Sequence, residues 1–338
     1  SSSFVTVGTE SMAEHRMYLP LAAIVVLIVM GLHRLLGLRL LPLYAALAIG
    51  LGWITSERNN DYRSELALWS DTVAKQPGNA RACNNLGTLW LGRGNLVEAE
   101  RCFTEAARLQ PNYASAHYNL GIVLARTGRD ADAIGHFLAA IRLEDGFVDA
   151  RVNAGKALLK LGRVADAVQQ YEAALRLQPG SSDLHFNLGL ALGQIGRPAE
   201  AIRQYKDAIR LEPGLLQAHL NLAEAEAGQG DTAAAERDYR EAIRLQPVQA
   251  AAHFGLGNVL ARLNRFPDAI EEYQKALQIE PKNLPARFYL GNALLVTDRI
   301  DEAIAQYEQI LQVQPDAAEV LENLRQARAM KPPSRRKP

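Results

Sequence analysis

Apolar residues recur along this chain at helical spacing, in short runs that turn residues separate. Between residues 80 and 317 the runs come in pairs, for example one at 116–124 followed by one at 131–143. Spacings of three and four put the apolar positions of a run on one face, which predicts an amphipathic helix. Each pair therefore predicts two short helices joined by a turn, and the pairs repeat every 34 residues, as from Gly87 to Gly121.

Several kinds of position keep this period. Each first helix has a small residue at its centre, and each second helix has an aromatic residue in its middle and, in most repeats, a proline beyond its end. Antiparallel helices approach closely only where side chains are minimal, so the small residues predict the helix contact and the ring fills the space beside it. The small residues are Gly87, Gly121, Gly155, Gly189, Ala223, Gly257 and Gly291, and the aromatic residues are Phe103, Phe137, Tyr171, Tyr205, Tyr239, Tyr273 and Tyr307.

The turn between the two helices has residue types that tolerate the left-handed backbone at a helix end. These residues are Gly94, Gly128, Gly162, Gly196, Gly230, Asn264 and Asp298. Period, small residues, rings, turns and prolines together resemble the tetratricopeptide repeat family. The resemblance implies an all-α fold, a right-handed α-solenoid of seven helix pairs at residues 80–317, with a concave inner wall on which binding is expected.

Shorter segments flank the solenoid. Residues 56–79 are expected to form a linker and half a repeat, with Trp69 in the aromatic position. Residues 318–331 are expected to form a capping helix. Residues 332–338 are expected to be a disordered tail, because prolines interrupt their basic side chains.

A second pattern lies near the start of the chain, where residues 17–55 are almost uncharged. Two apolar runs in this stretch each approach the length of about 20 residues that spans a bilayer, which predicts a two-helix transmembrane hairpin. Arg34 and Arg39 lie in the short connection between the two spans, and positive charge favours the cytoplasmic side for that connection. Residues 1–16 and the repeats are therefore expected on the extracytoplasmic side, periplasmic or luminal. A buried helix pair of a soluble domain, or a signal peptide followed by a second segment, are the alternatives.

The approach to this hairpin contains the sequence AEHRMYLP at residues 13–20. Followed by a hairpin and repeats, it resembles the junction in the transmembrane and tetratricopeptide-containing O-mannosyltransferase family. The resemblance implies the C-terminal part of a glycosyltransferase that uses a polyprenyl-phosphate sugar, with repeats that recruit the acceptor protein. The family's catalytic acid would precede residue 1, so no catalytic residue is assigned. A membrane-tethered scaffold without enzyme activity is the alternative.

Glu14 and Arg16 would lie at the membrane face. They could contact a lipid phosphate such as the polyprenyl phosphate, because a guanidinium offers paired hydrogen bonds to phosphate oxygens. An ordinary charged segment beside a membrane is the alternative.

Five asparagines share one position of the first helix in successive repeats, on the face expected to line the inner wall. An amide both donates and accepts, so it can pair with a peptide group whatever the ligand's sequence. The row resembles the asparagine ladder of the O-linked GlcNAc transferase repeats, which implies an extended polypeptide as the ligand. Asparagine is also common here in tetratricopeptide repeats, so a plain consensus residue is the alternative. The expected groove residues are Asn85, Asn119, Asn153, Asn187, Asn221, Tyr118, Phe186 and Phe254.

Composition narrows the classes of function. The 338 residues include 37 basic and 37 acidic side chains, which argues against a nucleic-acid binder driven by bulk charge. Four histidines share a repeat position, but neighbouring repeats lie about 8–10 Å apart, too far for one metal ion. No cofactor, metal site or catalytic constellation is expected. Cys83 and Cys102 are interpreted as small core residues or as a pair that an oxidising compartment could bridge.

Overall fold

The computed structural model of the protein describes residues 64–331 and the isolated positions Gly31, Arg34, Ala46, Ile49, Gly50 and Trp53. Residues 64–331 form sixteen α-helices and no β-strand, which confirms the predicted all-α solenoid for this part of the chain. The helices are α1 (Glu65–Lys75), α2 (Ala80–Gly92), α3 (Leu96–Leu109), α4 (Ala114–Arg126), α5 (Asp130–Leu143), α6 (Val148–Lys160), α7 (Val164–Leu177), α8 (Ser182–Gln194), α9 (Pro198–Leu211), α10 (Leu216–Gly228), α11 (Thr232–Leu245), α12 (Ala250–Arg262), α13 (Phe266–Ile279), α14 (Leu284–Val296), α15 (Ile300–Val313) and α16 (Ala318–Met330). Repeats one to seven are the pairs from α2–α3 to α14–α15.

Side-chain caps and left-handed turns set where these helices begin and end. Asn79, Asn95 and Asn283 each accept a hydrogen bond from the backbone N–H three residues later, at 2.9–3.2 Å, and so satisfy a helix end that has no internal partner. The turn residue inside every repeat has a positive φ between 59° and 84°. Two of these residues are not glycine, namely Asn264 and Asp298, so the predicted left-handed turns are confirmed.

Each repeat except the fifth packs its aromatic ring against the glycine of its own first helix. A Cβ atom added at Gly121 would lie 2.6 Å from Cε1 of Phe137, so any larger residue there would displace the ring. The same distance of 2.6 Å separates a Cβ added at Gly155 from the ring of Tyr171. Both rings are almost fully buried, in agreement with the steric interpretation of the period.

The even-numbered helices form one row in which most successive members touch directly. α2 contacts α4, α4 contacts α6, and the relation continues from α8 to α16. The odd-numbered helices pack mainly against their even-numbered neighbours. Because the more closely spaced row lies on the inside of a curved array, the even-numbered helices form the inner wall.

Buried side chains form two large clusters that meet at α10. One cluster runs from Ala99 to Leu222 and the other from Ala223 to Ala327. The boundary coincides with the repeat that has Ala223 where the other six have glycine, and with the buried charge of Glu226. α10 therefore contributes to both halves of the core.

Residues 1–16 and 332–338 lie outside the described residues, and so does most of the predicted hairpin at 17–55. Within residues 64–331 the longest helices have 14 residues, and none is long and apolar enough to cross a bilayer. The hairpin, the location that it implies and the lipid contact of Glu14 and Arg16 stay predictions.

Candidate functional site

The five members of the asparagine ladder lie half-buried on successive even-numbered helices. Nδ2 of Asn119 donates to Oδ1 of Asn84 in the preceding first helix at 2.9 Å, and Nδ2 of Asn153 donates to the hydroxyl of Tyr118 at 3.1 Å. These two bonds tie neighbouring first helices together. Within the described residues, Oδ1 of Asn119 and Oδ1 of Asn153 accept no hydrogen bond, so both remain able to accept one from a ligand.

The other three members are less engaged. Nδ2 of Asn221 donates to the backbone oxygen of Gln217, one turn earlier in its own helix, at 2.7 Å. The side chains of Asn85 and Asn187 make no hydrogen bond with any residue of the range 64–331. The five amides thus lie at one repeat position of successive first helices, and two of them have no hydrogen-bond partner within residues 64–331.

The predicted aromatic groove residues are half-buried and also support the repeats. The rings of Tyr118 and Phe147 have centres 4.7 Å apart. The ring centres of Phe186 and Phe254 lie 6.0 and 6.1 Å from the ring centre of the aromatic residue in the second helix of the same repeat. Burial raises the pKa of Tyr118 to about 12, so its hydroxyl stays protonated and can both donate and accept.

The ladder ends after Asn221 because a ring occupies the next position. Ala223 has a methyl group where the other six repeats leave space for their ring. The ring of Tyr239 lies instead beside Gly255 of the following first helix, where an added Cβ would be 2.3 Å from Cζ of the ring. An asparagine at Gly255 would therefore displace the ring. The sequence shows both departures, but not that they compensate each other.

Small residues beside this ring open a cavity of about 440 Å³ on the inner wall between α10 and α12. We call it the α10–α12 cavity. Ala227 and Gly228 line it from α10, and Ala251 and Gly255 line it from α12. Nη1 of Arg262 donates to the carbonyl oxygen of Ala227 at 2.7 Å and so connects the two helices. The cavity follows directly where the ladder ends.

The histidines at one repeat position hold the loop between repeats. Nε2 of His219 bonds to the backbone oxygen of Pro213 at 3.1 Å, and Nδ1 bonds to Oδ1 of Asp238 at 3.0 Å. The hydrogen bond to Asp238 raises the pKa of His219. The part of the chain that the structure describes contains no group of three side chains able to hold a metal ion. The same two contacts, to a proline carbonyl and to the second helix, are made by His117, His185 and His253.

In the first repeat Cys83 occupies the histidine position, and Cys102 occupies the position of the second helix that the histidine contacts in later repeats. Both thiols are buried and free. Burial raises the pKa of Cys102 to about 11, which keeps the thiol protonated and unreactive at neutral pH. The structure agrees with the interpretation as small core residues.

Glu226 is a buried ionisable residue that the sequence interpretation missed. Its side chain is 3% exposed, and Oε1 lies 2.8 Å from Nζ of Lys206 on α9. Oε2 is buried with no partner among the described residues. Burial raises the pKa of the carboxyl group. The signal was a break in the period, since the same position holds Leu124, Leu158, Leu192, Leu260 and Leu294 in other repeats.

Comparison with known sequences identifies the repeat type. A sequence model described as tetratricopeptide repeat matches residues 91–146, 152–215, 189–247 and 220–283. A second model of the same description matches residues 260–329. No curated protein matches the chain.

Solved structures share the fold. YrrB, described as a tetratricopeptide repeat protein with an unusual peptide-binding site, is 23% identical, with a TM-score of 0.51 over 56% of this chain and 97% of its own. A tetratricopeptide repeat protein from Parabacteroides merdae is 17% identical, with a TM-score of 0.54 over 74% of this chain and 98% of its own. The matched repeat models cover more than half of the residues. The chain therefore belongs to the tetratricopeptide repeat family and contains a protein-interaction module of that type.

Proposed function

We propose that the repeats bind an extended polypeptide along their inner wall and that the asparagine ladder pairs with its backbone. The observation that carries this proposal is the row of half-buried amides. Asn85 and Asn187 have no hydrogen bond within the described residues, and Asn119 and Asn153 keep a free acceptor. The description of YrrB as having a peptide-binding site supports this assignment.

The spacing of the ladder suits an extended chain. Packed helices lie about 8–10 Å apart, and an extended chain advances about 3.3 Å per residue. One amide therefore meets about every third peptide residue. Five amides are separated by four such steps and therefore span a segment of about 11–13 residues.

A binding assay with matched variants tests the ladder. The probe is a fluorescein-labelled peptide of alanine and serine, about 15 residues long, followed by fluorescence anisotropy. Asn85→Ala with Asn187→Ala breaks no hydrogen bond within residues 64–331 and removes two bonds to the peptide of about 0.5–1.5 kcal/mol each, so affinity should fall about 5- to 150-fold.

The control is Asn112→Ala, in the exposed turn between α3 and α4, which should bind as the wild type does. Circular dichroism should show the same helix content in all three proteins. Equal affinity of the double variant and the control for the peptide would discard the ladder.

We further propose that residues 17–55 anchor the repeats to a membrane, on its extracytoplasmic side, as the acceptor-recruiting part of a glycosyltransferase-like protein. The apolar runs and the sequence at residues 13–20 support this proposal. A protease added outside sealed cells or vesicles should cleave the repeats, and full protection would reverse the topology. Additional membrane spans encoded upstream would support the enzyme, whereas a start codon close to Ser1 would favour the scaffold.

A further inference from the structure

We propose that the α10–α12 cavity is an anchor pocket for an aromatic side chain, most suitably tyrosine, of the polypeptide bound along the inner wall. This inference rests on the proposed function and adds a sequence preference to it. The asparagine ladder pairs with any backbone, so a pocket of this kind would be needed to select and position a particular segment.

The cavity exists because larger residues are missing at specific repeat positions. Ala227 stands where repeats one, three and seven have leucine. Gly228 stands where repeats two, three and six have arginine or lysine. Gly255 replaces the ladder asparagine, and Ala251 replaces a polar residue of the preceding repeats. These four small residues all line the same cavity, so together they clear one space on the wall.

The walls of the cavity suit a flat, uncharged ring. Phe254 and Val259 provide apolar surface, and the ring of Tyr239 lies at the side of Gly255. The volume of about 440 Å³ falls in the range of ligand pockets, about 300–1,000 Å³. An aromatic side chain enters such a space with a large apolar area and few rotatable bonds, and the remaining volume leaves room for the neighbouring peptide backbone.

Polar groups on the same walls favour a ring with a polar edge. Glu224 and Arg262 both line the cavity, so the charges of a carboxylate and a guanidinium offset each other there. A charged side chain of the ligand would therefore meet one residue of its own charge. Oδ1 of Asn258 already accepts from the hydroxyl of Tyr273 at 2.9 Å, which leaves its Nδ2 to donate. The hydroxyl of Tyr239 makes no hydrogen bond within residues 64–331. A tyrosine hydroxyl can accept from Asn258 and donate to Glu224.

The cavity also continues the path of the ladder. Gly255 follows Asn221 at the same repeat position, on the next first helix of the inner wall. A peptide that pairs with Asn187 and Asn221 therefore reaches the cavity about three residues later. The tyrosine would lie near one end of the bound segment.

The test compares peptides that differ at one residue. The alanine–serine probe is made with tyrosine near either end, and with alanine, leucine, lysine or glutamate in its place. Of the two tyrosine peptides, the one that binds more tightly should bind the wild-type protein at least about tenfold more tightly than the alanine peptide does. Leucine should give a smaller gain, and lysine and glutamate none.

A variant that fills the cavity supplies the second arm. Ala227→Leu places in α10 the residue that Leu91, Leu159 and Leu295 already provide in other repeats. It should bind the alanine peptide normally and lose the preference for tyrosine. The matched control, Ala125→Leu, makes the same change at the same position of α4, away from the cavity, and should keep that preference.

The outcomes separate the two proposals. Ladder-dependent binding of the alanine peptide with no gain from tyrosine would overturn the anchor pocket and leave the proposed function standing. A tyrosine preference that survives in Ala227→Leu would also overturn the pocket. Failure of all the peptides to bind the wild type would overturn both.

Discussion

Replacement of Glu226 by leucine tests how the interior of the solenoid is stabilised. This carboxyl group is buried where the two core clusters meet, at a position that is leucine in five other repeats. The lysine that pairs with it, Lys206, has a side chain that is 57% exposed. We expect Glu226→Leu to stabilise the protein at neutral pH.

The magnitude follows from three contributions. Full burial of a leucine side chain contributes about 1.5–3 kcal/mol relative to exposure. Removal of Oε2, a buried acceptor without a partner in the described residues, relieves about 1–3 kcal/mol. Loss of the pair with the exposed Lys206 costs about 0–1 kcal/mol. Because the methylene groups of Glu226 are already buried, we expect a net gain of about 1–4 kcal/mol, the range found when buried ion pairs become apolar.

The raised pKa of Glu226 predicts how this gain changes with pH. The folded state holds the proton more tightly than the unfolded state, whose pKa is near the ordinary 4.5. The protonated group therefore contributes stability below pH 4.5, and that contribution is lost as pH rises through the folded value. Urea denaturation should show the smallest difference between Glu226→Leu and the wild type in acid and a larger difference toward neutral pH.

Two further variants serve as controls. Glu226→Gln removes the charge with little change in shape, so it should abolish this pH dependence. Leu260→Glu places a carboxyl group at the same position of the next repeat, where the leucine is 2% exposed, and should destabilise the protein. A Glu226→Leu protein that is less stable than the wild type at neutral pH, or whose gain is the same at every pH, would refute the reasoning.

Two other predictions concern side chains around the same junction. Gly255→Asn should destabilise the protein by about 1–3 kcal/mol, because its Cβ would lie 2.3 Å from the ring of Tyr239. Ala223→Gly should restore part of this loss in a double-mutant cycle followed by urea denaturation, and zero coupling would contradict the displaced ring. Asp238→Asn should lower the pKa of His219 in an NMR titration and remove a stability contribution that is complete below about pH 6.5 and lost as pH rises through the raised folded value. An unchanged pKa of His219 would mean that the carboxylate of Asp238 does not cause the upward shift.

The sequence predicts the fold well because each repeated position has one steric solution. A ring fits beside Gly121 only if no Cβ is present there. Asn264 and Asp298 could be assigned to left-handed turns because few residue types adopt a positive φ at the end of a helix. Such rules act within one repeat, and the period then extends them along the chain.

The candidate site depends on contacts between repeats, which the period does not specify. The sequence predicts a row of asparagines, but not that Asn119 and Asn153 would each bond to the preceding helix. It shows Ala223 and Gly255 as separate departures, whereas the structure joins them through the ring of Tyr239. The cavity follows from that ring and from small residues on two helices.

The meeting of the two core clusters at α10 links ligand binding to folding. In a solenoid each repeat is stabilised only by its neighbours, so α10 carries the stabilising contacts from one side of the array to the other. The asparagine ladder lies mainly on the first side and the α10–α12 cavity reaches into the second. A polypeptide that occupies both is bound only while both sides are folded, so its binding free energy adds to the coupling between them. The bound array should therefore melt at a higher temperature and in a sharper transition than the free array.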